Sequence, residues 1–228
     1  MSGFSRESFL NFIIENQVVG FFDKPVTLKS GRESHWYVNW RTVAGDAYLT
    51  DELAGFLIQY LGSKDIKFDT IYGVPDGATK LGVVAQMKWA KKQEGFGKGS
   101  HTLLMGRGAP KEHGVAKDRF FLGDPAGRIV VVEDVTTTGG SLIGAIGALK
   151  EAGANIVAAI GLTNRLEKRD DGTSVADAVG DLGVEYHDMS TACELLPRVS
   201  LQAKPTDEIK KAVEKECEEN SLNEVKLP

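Results

Sequence analysis

The chain has 228 residues, 42% of them hydrophobic and 26% charged, with a formal net charge of −5. That length suffices for one large domain or two small ones, and the acidic balance gives no general attraction to nucleic acid or to an anionic membrane. No apolar run approaches a membrane span and the first residues lack a secretory pattern, so a cytoplasmic protein is expected. Its two isolated cysteines, Cys193 and Cys217, have neither metal nor redox spacing and read as reduced thiols.

In chain order, Phe9 to Val19 has the apolar spacing of an amphipathic helix. Val26 to Val38 carries strand-forming residues around a Lys29-Ser30-Gly31-Arg32 turn, and Thr50 to Leu61 is a second helix. From there the pattern alternates: strand at Thr70 to Val74, helix at Ala78 to Lys91, strand at Thr102 to Met105, strand at Ile129 to Val132, helix at Leu142 to Ala152 and a last core strand at Ile156 to Leu162. Such alternation predicts an α/β fold with a parallel central sheet of about five strands and helices on both faces. Gly106 to Gly127 interrupts it with five glycines, two prolines and several charges, and no period of either kind. A long irregular loop between two core strands reads as a lid over a site. Thr206 to Glu219 is a charged helix whose charges read as a solvated face.

The chemistry concentrates in Ile129-Val-Val-Val-Glu133-Asp134-Val135-Thr136-Thr137-Thr138-Gly139-Gly140-Ser141. An apolar β-branched run ends in two acids, and a hydroxyl- and glycine-rich turn then enters a helix. Backbone N–H groups at such a helix start make an anion site suited to phosphate. Two carboxylates beside a phosphate cradle repel the same anion unless the ligand also carries hydroxyls, which points to a sugar phosphate.

This stretch resembles the phosphoribosyl-pyrophosphate (PRPP) signature of type I phosphoribosyltransferases. Three further segments resemble the orotate branch of that family. They are Leu28-Lys29-Ser30-Gly31 before Trp36-Tyr37, the basic segment Arg107-Gly-Ala-Pro-Lys111-Glu-His113-Gly114, and Asn164-Arg165 after a core strand. The resemblance implies the type I phosphoribosyltransferase fold as one domain over 1–228. Its parts would be a hood and helices up to about 62, an α/β core from about 66 to 204, and a C-terminal helix and tail over 205–228.

It also implies roles. Glu133 and Asp134 would hold the ribose hydroxyls, and Val135 to Ser141 (Thr136, Thr137, Thr138, Gly139 and Gly140 between them) would cradle the 5′-phosphate. Lys29 would meet PRPP or orotate charge. Arg107, Lys111 and His113 would close over the pyrophosphate as catalytic cations that also bind PRPP, and Tyr37, Thr137 and Arg165 would contact orotate. Mg²⁺ would be the cofactor, held mainly by PRPP and water, and a homodimer with a shared active site is expected. The family's usual cations are missing at Asp76-Gly77 and Gly108, with Lys80 as a substitute three residues further on. The implied activity is transfer of the phosphoribosyl group of PRPP to orotate, a step of pyrimidine (UMP) biosynthesis. A uracil or purine phosphoribosyltransferase fits the PRPP loop too, but a neutral base does not need both Lys29 and Arg165. A non-catalytic PRPP-sensing regulator would call for a basic nucleic-acid-binding element.

Overall fold

The computed structural model describes residues 3–28 and 31–228. Its opening helix, α1 (Arg6–Glu15), starts at Ser5, whose hydroxyl accepts from the Ser8 N–H at 3.2 Å. β1 (Val19–Thr27) and β2 (Glu33–Val38) then pair as an antiparallel ribbon. Alternation along β2 turns Ser34, Trp36 and Val38 inward. The short α2 (Arg41–Ala44) and the long α3 (Ala47–Ser63) complete the N-terminal part.

The sheet is built from β3 (Thr70–Gly73), β6 (Arg128–Thr136), β7 (Asn155–Asn164) and β8 (Tyr186–Asp188), in that spatial order and parallel throughout. Between them lie α4 (Thr79–Ala90), β4 (Met105–Gly106), α5 (Ala116–Phe120), β5 (Phe121–Leu122), α6 (Gly140–Glu151) and α7 (Val175–Gly180). The chain ends with α8 (Ala192–Ala203) and α9 (Asp207–Asn220).

The β-branched run of β6 explains why helices cover both faces. Val130 and Val132 join an apolar cluster with α1, α3, α4, α8 and α9, including Phe9, Leu57, Leu81, Leu195 and Val213. Ile129 and Val131, one residue out of phase, face a second cluster with Leu142, Ile146 and Leu149 of α6 and Val175 and Val179 of α7. A central strand buried on both sides therefore reads as continuous hydrophobic sequence.

Four sequence expectations need correction. Thr102 to Met105 is not a fifth sheet strand: only Met105 and Gly106 pair, antiparallel with Leu122 and Phe121, and Leu103 is 46% exposed. Ile156 to Leu162 belongs to β7 but is not the last core strand, since β8 follows beside it. The irregular stretch after Gly106 holds a short helix and one arm of a hairpin. Finally, α9 is more than a solvated face: Val213 and Cys217 are buried and its Glu216 reaches the pocket wall. Cys193 and Cys217 are free thiols, and burial raises the Cys217 pKa to about 11, so it stays protonated at neutral pH.

Candidate active site

β6 and β7 extend past the end of β3. Gly73 pairs with Val132, whereas Thr136 pairs with Asn164 four residues further on. The step leaves a crevice at the carboxyl ends of the strands, where parallel α/β sheets bind ligands. A cavity of about 590 Å³ occupies it. Its walls are Glu133 to Val135 and Thr137 to Ser141 from the β6–α6 turn, Pro75 to Gly77 from the β3–α4 turn, Tyr37 to Arg41 from the end of β2, and Leu28 and Arg165.

The turn into α6 is a phosphate-type cradle. Gly139 precedes the helix with φ of +77°, a left-handed conformation that side chains rarely adopt, and a Cβ there would press on Val175 at 3.1 Å. The first turn of an α-helix leaves N–H groups without an intrahelical acceptor, and this one opens into the cavity. Arg169 braces the turn by donating from Nη1 to the Thr138 carbonyl. Arg169 was not among the sequence-predicted site residues. No local signal marks an arginine that reaches back 31 residues.

Glu133 is 5% exposed and Asp134 sits at the cavity edge, its Oδ1 accepting from the Val135 N–H at 2.9 Å. Beneath it, a Cβ built on Gly77 would collide with the Asp134 carboxylate. This explains why no cationic side chain stands at position 77: none fits while Asp134 keeps its place. Gly77→Ala is therefore expected to displace Asp134 and lower turnover roughly 10²-fold, since shifts of about 1 Å cost that much. Steady-state kinetics beside a thermal melt checks this; an unchanged rate in a folded variant would show that Asp134 tolerates the shift.

Of the sequence-predicted site residues, the cavity brings together Tyr37, Glu133, Asp134, Val135, Thr137, Thr138, Gly139, Gly140, Ser141 and Arg165. Thr136 departs from its expected role: its side chain is buried and shares a 2.7 Å hydrogen bond with the Tyr186 hydroxyl, so it supports the turn from below. Burial pushes the Tyr186 pKa up, which keeps that hydroxyl protonated. Lys29 lies outside the described residues. Lys80 does not substitute for the missing cation, because its Nζ donates to the Ala44 carbonyl at 3.0 Å, away from the cavity lining.

Arg107, Lys111 and His113 stand apart from the cavity. Arg107 Nε donates to the Asp118 and Phe121 carbonyls at 3.2 Å each, and the Lys111 N–H to Arg119 at 3.0 Å. The Lys111 and His113 side chains are exposed. Arg107 lines a smaller adjoining cavity of about 250 Å³ that shares Pro75 and Ser141 with the main one. Tyr72 lines the same space, its pKa raised to about 12 by burial and then by the charge of Glu133.

Arg165 lines the cavity but is only 2% exposed. Its Nε donates to Glu167 at 2.6 Å, Nη1 to the Trp36 carbonyl at 3.3 Å, and Nη2 to Ser34 Oγ at 3.0 Å and Glu216 at 3.1 Å. The guanidinium lies 3.6 Å from the Trp36 ring centroid. Its N–H donors are thus largely spent inside the protein rather than left for a ligand. Arg41, missed by sequence reasoning, is exposed and lines the cavity at the end of β2. Its only signal is its place directly after the buried Trp40, at the start of α2.

Known proteins resemble the chain in sequence and in fold. No family model matches the chain. An orotate phosphoribosyltransferase of Rhodopseudomonas palustris is 34% identical over 211 residues, covering 87% of this chain and all of that one. Among solved structures, orotate phosphoribosyltransferase of Francisella tularensis superposes with a TM-score of 0.67 at 20% identity, covering 94% of this chain and 99% of that one. The Mycobacterium tuberculosis enzyme in complex with PRPP gives a TM-score of 0.57 at 21% identity, covering 83% and 98%. The structural likenesses establish the shared fold, and identity along a full-length relative carries the rest: the chain belongs to the orotate phosphoribosyltransferase family.

Proposed function

We propose that the chain transfers the 5-phosphoribosyl group of PRPP to N1 of orotate, giving orotidine 5′-monophosphate and pyrophosphate. The observation that carries this reading is the cavity itself, where a helix-start phosphate cradle and two carboxylates line one space. A phosphate cradle alone would suit any phosphate ester. Adjacent acids add acceptors for ribose hydroxyls and negative charge where positive charge develops on the ribose.

In this reaction the C1–N1 bond forms as the bond from C1 to pyrophosphate oxygen breaks, and its electrons leave with pyrophosphate. Orotate enters as its dianion, so the site needs cations more than a base. The turn from Thr137 to Ser141 anchors the 5′-phosphate, Glu133 and Asp134 hold the ribose hydroxyls, and Tyr37, Thr137 and Arg165 border the base. Asp76, Glu133 and Asp134 line the cavity, and carboxylate oxygens are donors that a hard cation accepts. Among the described residues no group of three or more such ligands is placed to hold a metal, so Mg²⁺ would be held chiefly by substrate oxygens and water and would neutralise pyrophosphate charge. The lining carries those three acids, while Arg165 is neutralised by Glu167 and Glu216. Further positive charge would come from Lys29, from Arg41, and from Arg107, Lys111 and His113 on a closing lid.

The same reading includes a cytoplasmic homodimer with a shared site, and one catalytic unit whose hood is formed by residues before about 62. The testing assay supplies PRPP and Mg²⁺ with orotate, uracil, adenine or hypoxanthine and follows pyrophosphate release. Orotate is expected to be used best, ahead of uracil by roughly 10–150-fold in kcat/KM, because a charge-assisted hydrogen bond to its carboxylate contributes about 1.5–3 kcal/mol. Equal use of uracil would end the orotate assignment.

A further inference from the structure

The C-terminal helix α9 sends Glu216 into the wall behind the cavity, far from the residues that carry the signature. Its Oε1 accepts from Arg165 Nη2 at 3.1 Å and from Ser34 Oγ at 2.6 Å, and its Oε2 accepts from the His35 N–H at 3.1 Å. One carboxylate thus ties β2, α9 and the segment after β7 at a single point. Burial pushes the Glu216 carboxyl above its ordinary range, opposed by the Ser34 hydroxyl and the charge of Arg165.

The donor inventory of Arg165 gives this knot a functional meaning. A guanidinium has five N–H groups. Glu167, the Trp36 carbonyl, Ser34 and Glu216 take four. Among the described residues, one N–H on Nη1 is left over, on a side chain that lines the cavity. The rotation of the guanidinium is fixed by Glu216 and Ser34 on one edge, by Glu167 at Nε and by the Trp36 ring against its face. Glu167 is itself held by Arg32 Nη1 at 3.0 Å. Two arginines and two glutamates balance, so the charge of Arg165 is spent inside the wall.

We propose that Glu216 is a positioning residue for base recognition. It holds Arg165 so that a single Nη1 N–H faces the base, and together with Glu167 it makes Arg165 a reader of one neutral acceptor, such as a ring carbonyl, rather than the counterion of the carboxylate. This rests on the proposed reaction. It assigns to the C-terminal helix a part in substrate selection through a contact 51 residues away in sequence.

The test compares Glu216→Ala and Glu216→Gln with wild type in full steady-state kinetics. Glu216→Ala is expected to raise KM for orotate about tenfold, with KM for PRPP and kcat within about twofold. Glu216→Gln keeps an acceptor for Arg165 and Ser34 but loses the one facing His35, so it recovers most of the loss. A purely structural role would instead lower the melting temperature and change both Michaelis constants together, and that result overturns the proposal. So does an unchanged orotate KM in both variants.

A second measurement does not depend on turnover. The Arg165 Nη2 N–H groups, which Glu216 and Ser34 accept, assigned in nitrogen-15 spectra by their loss in Arg165→Lys, are expected to exchange slowly in wild type and Glu216→Gln and rapidly in Glu216→Ala. Slow exchange in all three shows that Glu216 does not hold Arg165. Wild-type protein that fails to use orotate while showing this exchange pattern overturns the proposed reaction but not the positioning.

Discussion

Asp134→Asn is expected to lower kcat about 10²–10³-fold while KM for PRPP moves by less than roughly threefold, because the charge removed matters most when the ribose becomes cationic. The substitution is nearly silent sterically. Asparagine keeps Oδ1 as the acceptor for the Val135 N–H, now at 2.9 Å, and has the volume to sit against Gly77 as aspartate does. Ribose hydroxyls still find an acceptor, so ground-state binding survives. What disappears is a negative charge at the cavity edge, in a space partly closed to water, where charge acts more strongly than in bulk solvent. Glu133, adjacent in the strand and 5% exposed, remains. Pyrophosphate release measured at saturating orotate over a range of PRPP concentrations decides the matter. Full turnover with a raised KM for PRPP would make Asp134 a binding residue only.

The parts of this site that were legible in sequence are those whose chemistry is local. The β-branched run of β6, the paired acids and the turn into α6 occupy consecutive residues, and their roles follow from strand ends and helix starts wherever they occur. The parts that stayed hidden depend on long-range contacts. Glu216 sits in a helix with charges on every turn, and nothing in that helix distinguishes the one carboxylate aimed inward. Arg165 stood out as a cation after a strand, but its partners Ser34 and Glu216 lie 131 and 51 residues away, so its commitment to them had no local trace.

β8 escaped notice because Tyr186-His187-Asp188 is three residues long, each half-buried, with no apolar alternation to read. α8 carries Pro197 in its interior, which breaks the usual helix pattern. Conversely, Leu103-Leu104-Met105 has strand composition, but Leu103 is exposed and only Met105 pairs, so composition overstated the sheet. Gly77 was seen as a missing lysine. Its reason, the close approach of Asp134, exists only in three dimensions.

Lys111→Ala is expected to lower kcat about 10²–10³-fold, the usual loss when one preorganised group facing developing charge is removed. Stability should change by no more than about 0.5 kcal/mol, because the side chain is exposed and its removal opens no cavity. Neither Lys111 nor His113 lines the cavity of its own chain, so the loop has to move, or serve a neighbouring chain, to reach pyrophosphate. The proposed shared-site dimer makes the second route specific. If the lid crosses between subunits, mixing inactive Lys111→Ala with inactive Asp134→Asn restores activity, since a mixed dimer has one site with both residues intact. Random exchange makes about half the dimers mixed, and one good site in each gives roughly a quarter of wild-type activity if sites act independently. Subunit exchange, followed by fluorescence energy transfer between labelled chains, has to be shown in the same samples. Exchange without recovery would place the lid over its own chain's cavity, and Lys111 would then act by closure within one subunit.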